Sequence, residues 1–128
     1  MAKQEKFRRL STKNLRYSRG LTFAYHTINR KYFEGRLPNL EVYYEPMRFQ
    51  KNRGGRCITS GYTAIAKGGR ILFIAINDKL RKFEDLAELV LLHECIHVKY
   101  PLDHDDHGPR FQKERRRLIV AGAIDEIL

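Results

Sequence analysis

The sequence predicts an α+β fold with an N-terminal helix, a small three-stranded antiparallel sheet, a long buried helix and a C-terminal helix. Three patterns predict it. Apolar residues recur at helical spacing over residues 13–34, β-branched and aromatic residues are concentrated in residues 40–45, 57–66 and 70–77, and residues 83–100 are apolar on nearly every side of a helix. A chain of 128 residues can bury one core without disulfides.

Glycine and proline mark where the predicted elements end. The first helix is expected to stop at Gly35 and Pro38, and Pro46 ends the first strand. Two later strands are joined by Lys-Gly-Gly at residues 67–69, which predicts an antiparallel hairpin. Residues 71–76 are almost continuously apolar, so we expect a strand covered on both faces. This strand is also a candidate to pair with an extended substrate.

Two prolines bound the helices of the second half. Pro101 ends the buried helix, because proline cannot continue the helical hydrogen bonds. Pro109 follows Gly108 and begins a last helix predicted over residues 109–122.

The charge is strongly positive and unevenly distributed. The net charge is +10, and residues 1–20 alone hold seven basic residues against one acidic residue. We therefore expect a basic arm over residues 1–12, followed by a single domain over residues 13–128. A basic surface of this kind favours polyanions such as nucleic acids, although it is also compatible with ordinary solubility charge.

Composition excludes several classes of protein. No apolar run approaches the ~20 residues that a membrane-spanning helix needs, and no secretory signal is visible. Two cysteines cannot form a disulfide framework or a four-cysteine zinc ribbon. We therefore expect an intracellular protein, cytoplasmic in a bacterium or nuclear in a eukaryote, that has no membrane partner.

The buried helix contains the sequence H-E-x-x-H at residues 93–97. His93 and His97 are four residues apart, so their imidazoles lie on one face and can converge on one metal ion. Glu94 is rotated by about 100° from His93 and can reach a water bound by that metal without being a ligand. Burying these polar side chains without partners would cost several kcal/mol, so the pattern predicts a metal site.

A third ligand has to come from later in the chain. The compact metzincin pattern is excluded, because Tyr100 and Asp103 stand where that class has glycine and histidine. His107 is the favoured candidate, since it precedes a rigid Gly-Pro turn, while His104, Glu114 and the loop aspartates stay open as alternatives. Glu114 is disfavoured because its basic neighbours, which include residues 115–117, indicate an exposed, solvated stripe.

Three segments in the same order resemble the SprT-like metalloprotease domain, the family of bacterial SprT proteins and of the protease domain of Spartan. They are Y-F-E-G-R-L-P at residues 32–38, L-L-H-E-C-I-H at residues 91–97 and H-G-P-R-F at residues 107–111. The similarity covers roughly residues 25–115, and its first and third segments are more distinctive than H-E-x-x-H alone.

The resemblance implies a zincin-like fold with one catalytic Zn²⁺. By that resemblance His93, His97 and His107 are the zinc ligands and Glu94 is the general acid/base. Residues 32–38 would be a structural corner that seats the sheet. It further implies a protease that acts on proteins attached or crosslinked to DNA.

A second candidate site lies in residues 48–56, which we predict to be a glycine-containing loop. It holds four basic residues and no acidic one, namely Arg48, Lys51, Arg53 and Arg56. Such charges favour phosphate backbones, and an aromatic residue among them can stack on unpaired bases. The alternative is a solvated loop.

Three functions are therefore compared. The favoured one is a zinc endopeptidase with protein substrates and with DNA, above all single-stranded DNA, as a partner. The others are a nucleic-acid-binding module with a structural zinc and a zinc enzyme that acts on small peptides or amides. A monomer is the default expectation.

Overall fold

The fold is seen in a computed structural model that describes residues 14–47, 49–52, 55–58, 60–101 and 107–128. The predicted basic arm at residues 1–12 lies outside them. The strands are β1 (Arg16–Tyr17), β2 (Val42–Glu45), β3 (Phe49–Asn52), β4 (Gly55–Ile58), β5 (Gly61–Ile65) and β6 (Ile71–Asn77). The helices are α1 (Arg19–Tyr32), α2 (Glu84–Lys99), α3 (Pro109–Val120) and α4 (Ala123–Ile127), with a short 3-10 helix at Asp78–Leu80.

The α+β class is confirmed, but the three-stranded antiparallel sheet is wrong. The main sheet is mixed and has four strands in the order β1-β2-β6-β5, while β3 and β4 pair separately. The predicted β5–β6 hairpin is present. However, β2 and β6 run parallel, with Val42 opposite Ile74. Turn residues reveal a local hairpin, whereas nothing local sets the direction of two strands about thirty residues apart.

Two predicted boundaries also differ. Helix α1 begins at Arg19 rather than at residue 13, because the Ser18 side chain accepts a hydrogen bond from the Leu21 backbone N–H (3.0 Å) and caps the helix. The residues before it form β1, which pairs with β2. The run at residues 57–66 is not one strand, since β4 ends at Ile58 and β5 begins at Gly61.

Residues 48–56 are not simply a loop. Strands β3 and β4 form an antiparallel pair in which the Cα atoms of Lys51 and Arg56 are opposite each other. Arg48 and Arg53 lie outside the described residues. Two of the four predicted nucleic-acid contacts therefore belong to a β-ribbon.

The centre and C-terminal half of helix α2 are largely buried, as predicted, whereas Phe83 just before the helix and Leu86 in its first turn are exposed. Helix α2 packs on the sheet face that carries Val42, Ile74 and Ile76, and α1 and α3 also contact it. Leu91 and Cys95 are completely buried at its centre. Cys95 is a free thiol, and burial raises its pKa above the ordinary value.

The segment after α1 forms a tight corner that seats α1 against the sheet. The Asn29 side chain bonds both the backbone N–H and the backbone carbonyl of Leu37, each at 3.0 Å. The Tyr25 hydroxyl donates to the Pro38 carbonyl at 2.6 Å. Gly35 has a φ of 72°, a left-handed conformation that favours glycine. The structural role implied for residues 32–38 agrees with these contacts.

Glu114 on α3 does not have the exposed environment that its sequence neighbours predicted. It is buried (5% exposed) rather than on an exposed stripe. Its two carboxylate oxygens accept hydrogen bonds from Lys99 Nζ (3.1 Å) and Arg117 Nη2 (2.6 Å). Arg117 is exposed, as expected, but it also donates to the backbone carbonyl of Tyr32 (2.7 Å). This cluster ties α3 to α2 and to the end of α1.

Replacing Glu114 with glutamine should destabilise the protein in a pH-dependent way. Burial alone would raise the Glu114 pKa, but the hydrogen bonds from Arg117 and Lys99 hold the pKa below its ordinary value. The resulting stabilisation is therefore present above the unfolded-state pKa of about 4.3 and is lost as the pH falls through the lower folded-state pKa. We expect Glu114→Gln to lower the free energy of unfolding by about 2 kcal/mol at pH 7, with a smaller difference below about pH 4.

Denaturant titrations at several pH values measure this difference. The matched control is Glu34→Gln, because Glu34 forms an exposed pair with Arg36 (3.7 Å) that should contribute little. A Glu114→Gln effect of the same size at pH 7 and in acid would contradict the expectation.

Candidate metal centre and active site

Three histidines from two segments meet at one point. His93 and His97 lie one turn apart on α2, and His107 comes from the residues just before α3. The Nε2 atom of His93 lies 3.1 Å from Nε2 of His97 and 3.2 Å from Nε2 of His107. The candidate ligand atoms of the three residues all lie within 4.8 Å of one another. The structure thus brings together the three histidines that the sequence singled out.

The spacing of these nitrogens suits a tetrahedral metal ion. Zinc binds histidine nitrogen at about 2.0–2.1 Å, which places two tetrahedral ligand atoms about 3.3 Å apart. The two measured nitrogen–nitrogen distances are close to that value. A neutral imidazole Nε2 offers either one proton or one lone pair, so three of them directed at one point are best accommodated around a cation. The residues present therefore fit a divalent metal.

Phe111 packs against all three imidazoles. Its ring centroid is 4.8 Å from that of His93, 4.9 Å from that of His97 and 4.8 Å from that of His107. Phe111 is only 5% exposed and lies in the first turn of α3, so the same helix that follows His107 also supports the rings. Sequence reasoning did not assign it this role, although it ends the H-G-P-R-F segment.

Glu94 lies beside the histidines and is almost completely buried (5% exposed). Its Oε1 atom accepts a hydrogen bond of 2.8 Å from the Thr63 hydroxyl on β5. A buried carboxylate with an oriented side chain is suited to proton transfer next to a metal. The sequence predicted Glu94 for this task but carried no signal for Thr63, because threonine is common in strands.

The structure describes only some of the alternative candidates for the third ligand. Glu114 is engaged by Lys99 and Arg117 through both carboxylate oxygens, which disfavours it as a metal ligand. His104 and the loop aspartates Asp105 and Asp106 lie outside the described residues. Of the candidates that the structure describes, His107 is the one that joins the other two histidines.

The prediction that strand β6 pairs with an extended substrate is wrong. Strand β6 is hydrogen-bonded on both sides, by β2 and by β5, so its backbone groups are already used. In the part of the chain that the structure describes, β5 has β6 as its one neighbour and forms the edge of the sheet. That edge strand also carries Thr63.

The histidine cluster is open rather than enclosed. His107 is exposed, while His93 and His97 are half-buried. Two cavities of about 300 and 310 Å³ lie along α1 and the first half of α2, and neither is lined by the three histidines or by Glu94. An accessible centre of this kind suits a macromolecular substrate better than a small molecule held in a deep pocket.

The comparisons with known proteins identify a family for the chain. A model of the SprT-like family matches residues 21–124, from α1 to the short helix α4. No curated protein and no solved structure matches the chain. None of the helices in the described residues has the length and apolarity needed to cross a bilayer.

Removing His107 should remove the metal. We expect the purified wild-type protein to hold about one divalent ion per chain and His107→Ala to lose most of it, because two imidazoles alone bind such an ion weakly. Elemental analysis after dialysis measures the metal content. His26→Ala is the control, since His26 lies on α1 outside the cluster and its loss should leave the metal in place. Wild-type metal content in His107→Ala would contradict this assignment.

Proposed function

The chain belongs to the SprT-like family, and we propose that it is a zinc-dependent endopeptidase that cleaves proteins bound or crosslinked to DNA. The observation that carries the proposal is the convergence of three histidine Nε2 atoms beside the buried carboxylate of Glu94. Three imidazoles and a neighbouring carboxylate are the parts that metal-assisted peptide hydrolysis requires.

His93, His97 and His107 would hold the zinc. Nitrogen ligands suit this ion, and three protein ligands are typical of a catalytic site, whereas a structural site takes four. Within the described part of the chain, the cluster has three members. A catalytic zinc needs no further protein ligand, whereas a nucleic-acid-binding module with a structural zinc would need a fourth. Bound zinc would supply a Lewis acid that polarises the scissile carbonyl and makes a water molecule acidic.

Glu94 would move the proton. It follows His93 directly on α2, so its carboxylate lies near the metal without belonging to the ligand cluster. Thr63 holds Oε1, and the carboxylate would accept a proton from the attacking water. The same carboxyl group then returns the proton to the leaving amine as the peptide bond breaks.

The edge of the sheet supports a polypeptide substrate. Strand β5 ends the four-stranded sheet, and Thr63 within it contacts Glu94. An extended chain that adds to β5 through backbone hydrogen bonds would pass close to the metal centre. Because such pairing uses the substrate backbone and not its ends, it favours internal cleavage.

The association with DNA is supported by charge. The chain has a net charge of +10, and basic residues are concentrated in its first twenty residues and in residues 48–56. Arg48, Lys51, Arg53 and Arg56 are the proposed contacts to the phosphate backbone. DNA binding would place the metal centre near proteins attached to the same strand.

Glu94→Gln should separate metal binding from catalysis. We expect the variant to keep its zinc and to lose about a thousand-fold in cleavage rate, because glutamine cannot accept the proton. Cleavage of fluorescently labelled casein, with and without single-stranded DNA, measures the rate, and elemental analysis measures the zinc.

The matched control for this test is Glu88→Gln, on the same helix but lining a cavity away from the histidines. It should cleave at the wild-type rate. Wild-type cleavage by Glu94→Gln would contradict the assignment of the general base. A wild-type protein that holds zinc but cleaves nothing would favour the structural-zinc alternative.

Removing one basic residue of the β3–β4 region should weaken DNA binding in a salt-dependent manner. We expect Arg56→Ala to reduce the affinity for single-stranded DNA and to lower the slope of log K against log salt by about 0.7–1, as the loss of one phosphate contact predicts. Fluorescence anisotropy at several salt concentrations measures the slope. Arg116→Ala, an exposed position on α3, is the control and should leave the slope unchanged. An unaltered slope in Arg56→Ala would remove this residue from the proposed interface.

A further inference from the structure

We propose that Thr63 is a positioning residue for Glu94, holding the carboxylate through Oε1 in the orientation in which it accepts the proton of the attacking water. The inference rests on the proposed function, since it assigns Glu94 the role of proton acceptor. Thr63 does not lie in the H-E-x-x-H segment but on β5, thirty-one residues earlier in the chain.

The packing of β5 against α2 places Thr63 at this point. A Cβ atom added to Gly61 would lie 2.9 Å from the Val90 side chain on α2 and 2.9 Å from the Ala75 backbone oxygen. Glycine therefore allows the strand to approach the helix closely. Two residues further along β5, Thr63 contacts Glu94, which is one helical turn after Val90.

These two contacts have matching spacings. Residues i and i+2 of a strand are about 6.6 Å apart and lie on one face. Residues i and i+4 of a helix are about 6 Å apart along the axis and also share a face. The strand and the helix therefore cover about the same distance between the two contacts. A packing register that brings Gly61 to Val90 also brings Thr63 to Glu94.

The apolar surface around Thr63 does not by itself account for its hydroxyl group. Thr63 pairs with Ile74, which is completely buried, and it shares the helix-facing side of the sheet with apolar residues. Valine has nearly the same shape and would suit that surface without a polar atom. The polar atom lies 2.8 Å from Glu94 Oε1 and 3.5 Å from the Glu94 backbone carbonyl oxygen, so its shorter contact is with the carboxylate proposed to do the chemistry.

An uncharged hydrogen-bond donor is suited to orienting the Glu94 carboxylate. A hydroxyl has one proton to donate, so it orients one carboxylate oxygen without cancelling the negative charge. The side chain of threonine is stiff at χ1, and the bond is shielded from bulk water, which strengthens it. A carboxylate held in this way spends less time in rotamers that cannot reach the water.

The test compares Thr63→Val, which removes the hydroxyl and keeps the shape, with Thr63→Ser, which keeps the hydroxyl. Steady-state cleavage of labelled casein gives kcat and KM for each variant, alongside wild type and Glu94→Gln. Elemental analysis gives the zinc content, and thermal unfolding shows whether each variant is folded. We expect Thr63→Val to lower kcat about ten-fold with KM within about two-fold and zinc unchanged, as the loss of one hydrogen bond to a charged group predicts. Thr63→Ser should restore most of kcat.

Several results would overturn the inference. They are a Thr63→Val enzyme with wild-type kcat, a Thr63→Ser enzyme as impaired as Thr63→Val, or a change confined to KM. Loss of zinc in Thr63→Val would show a role in building the metal site instead. If Thr63→Val does not fold, Thr63→Ala compared with Thr63→Ser decides the question by the same criteria.

The same assay separates the two proposals. Wild-type cleavage that Glu94→Gln abolishes supports the proposed function, and Thr63→Val then reports on Thr63 alone. Cleavage by neither wild type nor Glu94→Gln overturns the proposed function and this inference with it.

Discussion

The fold depends on a central helix whose apolar side chains form much of the core. The sheet lies on one side of α2, and α1 and α3 contact it as well. Three polar side chains nevertheless occur within five residues of its second half, and burying polar groups without partners is costly. Partners come from neighbouring segments: His107 from the residues just before α3 and Thr63 from β5. The candidate site therefore lies where α2, β5 and the segment before α3 meet.

The part of the site that the sequence predicts is the part that is local. The positions of His93, Glu94 and His97 on one helix follow from helical geometry, so the motif alone places them. His107 is less local, but the rigid turn after it narrows the ways in which α3 can follow α2. Residues whose relative positions are set by a few backbone angles are predictable from their spacing.

The features that were missed depend on contacts between distant segments. The parallel pairing of β2 with β6 brings together residues about thirty positions apart, and Thr63 reaches Glu94 over a similar separation. Nothing in a threonine on a strand shows which helix it will face. The misreading of Glu114 has the same cause: its sequence neighbours are basic, but its environment is set by Lys99 on another helix. Hydropathy patterns report the face of an element and not its partner.

Glu94 and Glu114 are each 5% exposed, but their surroundings indicate different roles. Both oxygens of Glu114 are bound by cationic side chains, which lower its pKa and fix it as a charge. Such a group can neither accept a proton readily nor turn toward a metal, so its role is to hold α3 in place. Glu94 instead receives a hydrogen bond from a neutral hydroxyl and directly follows His93 on α2. A hydroxyl carries no charge, so it orients the carboxylate without cancelling the negative charge that takes up a proton.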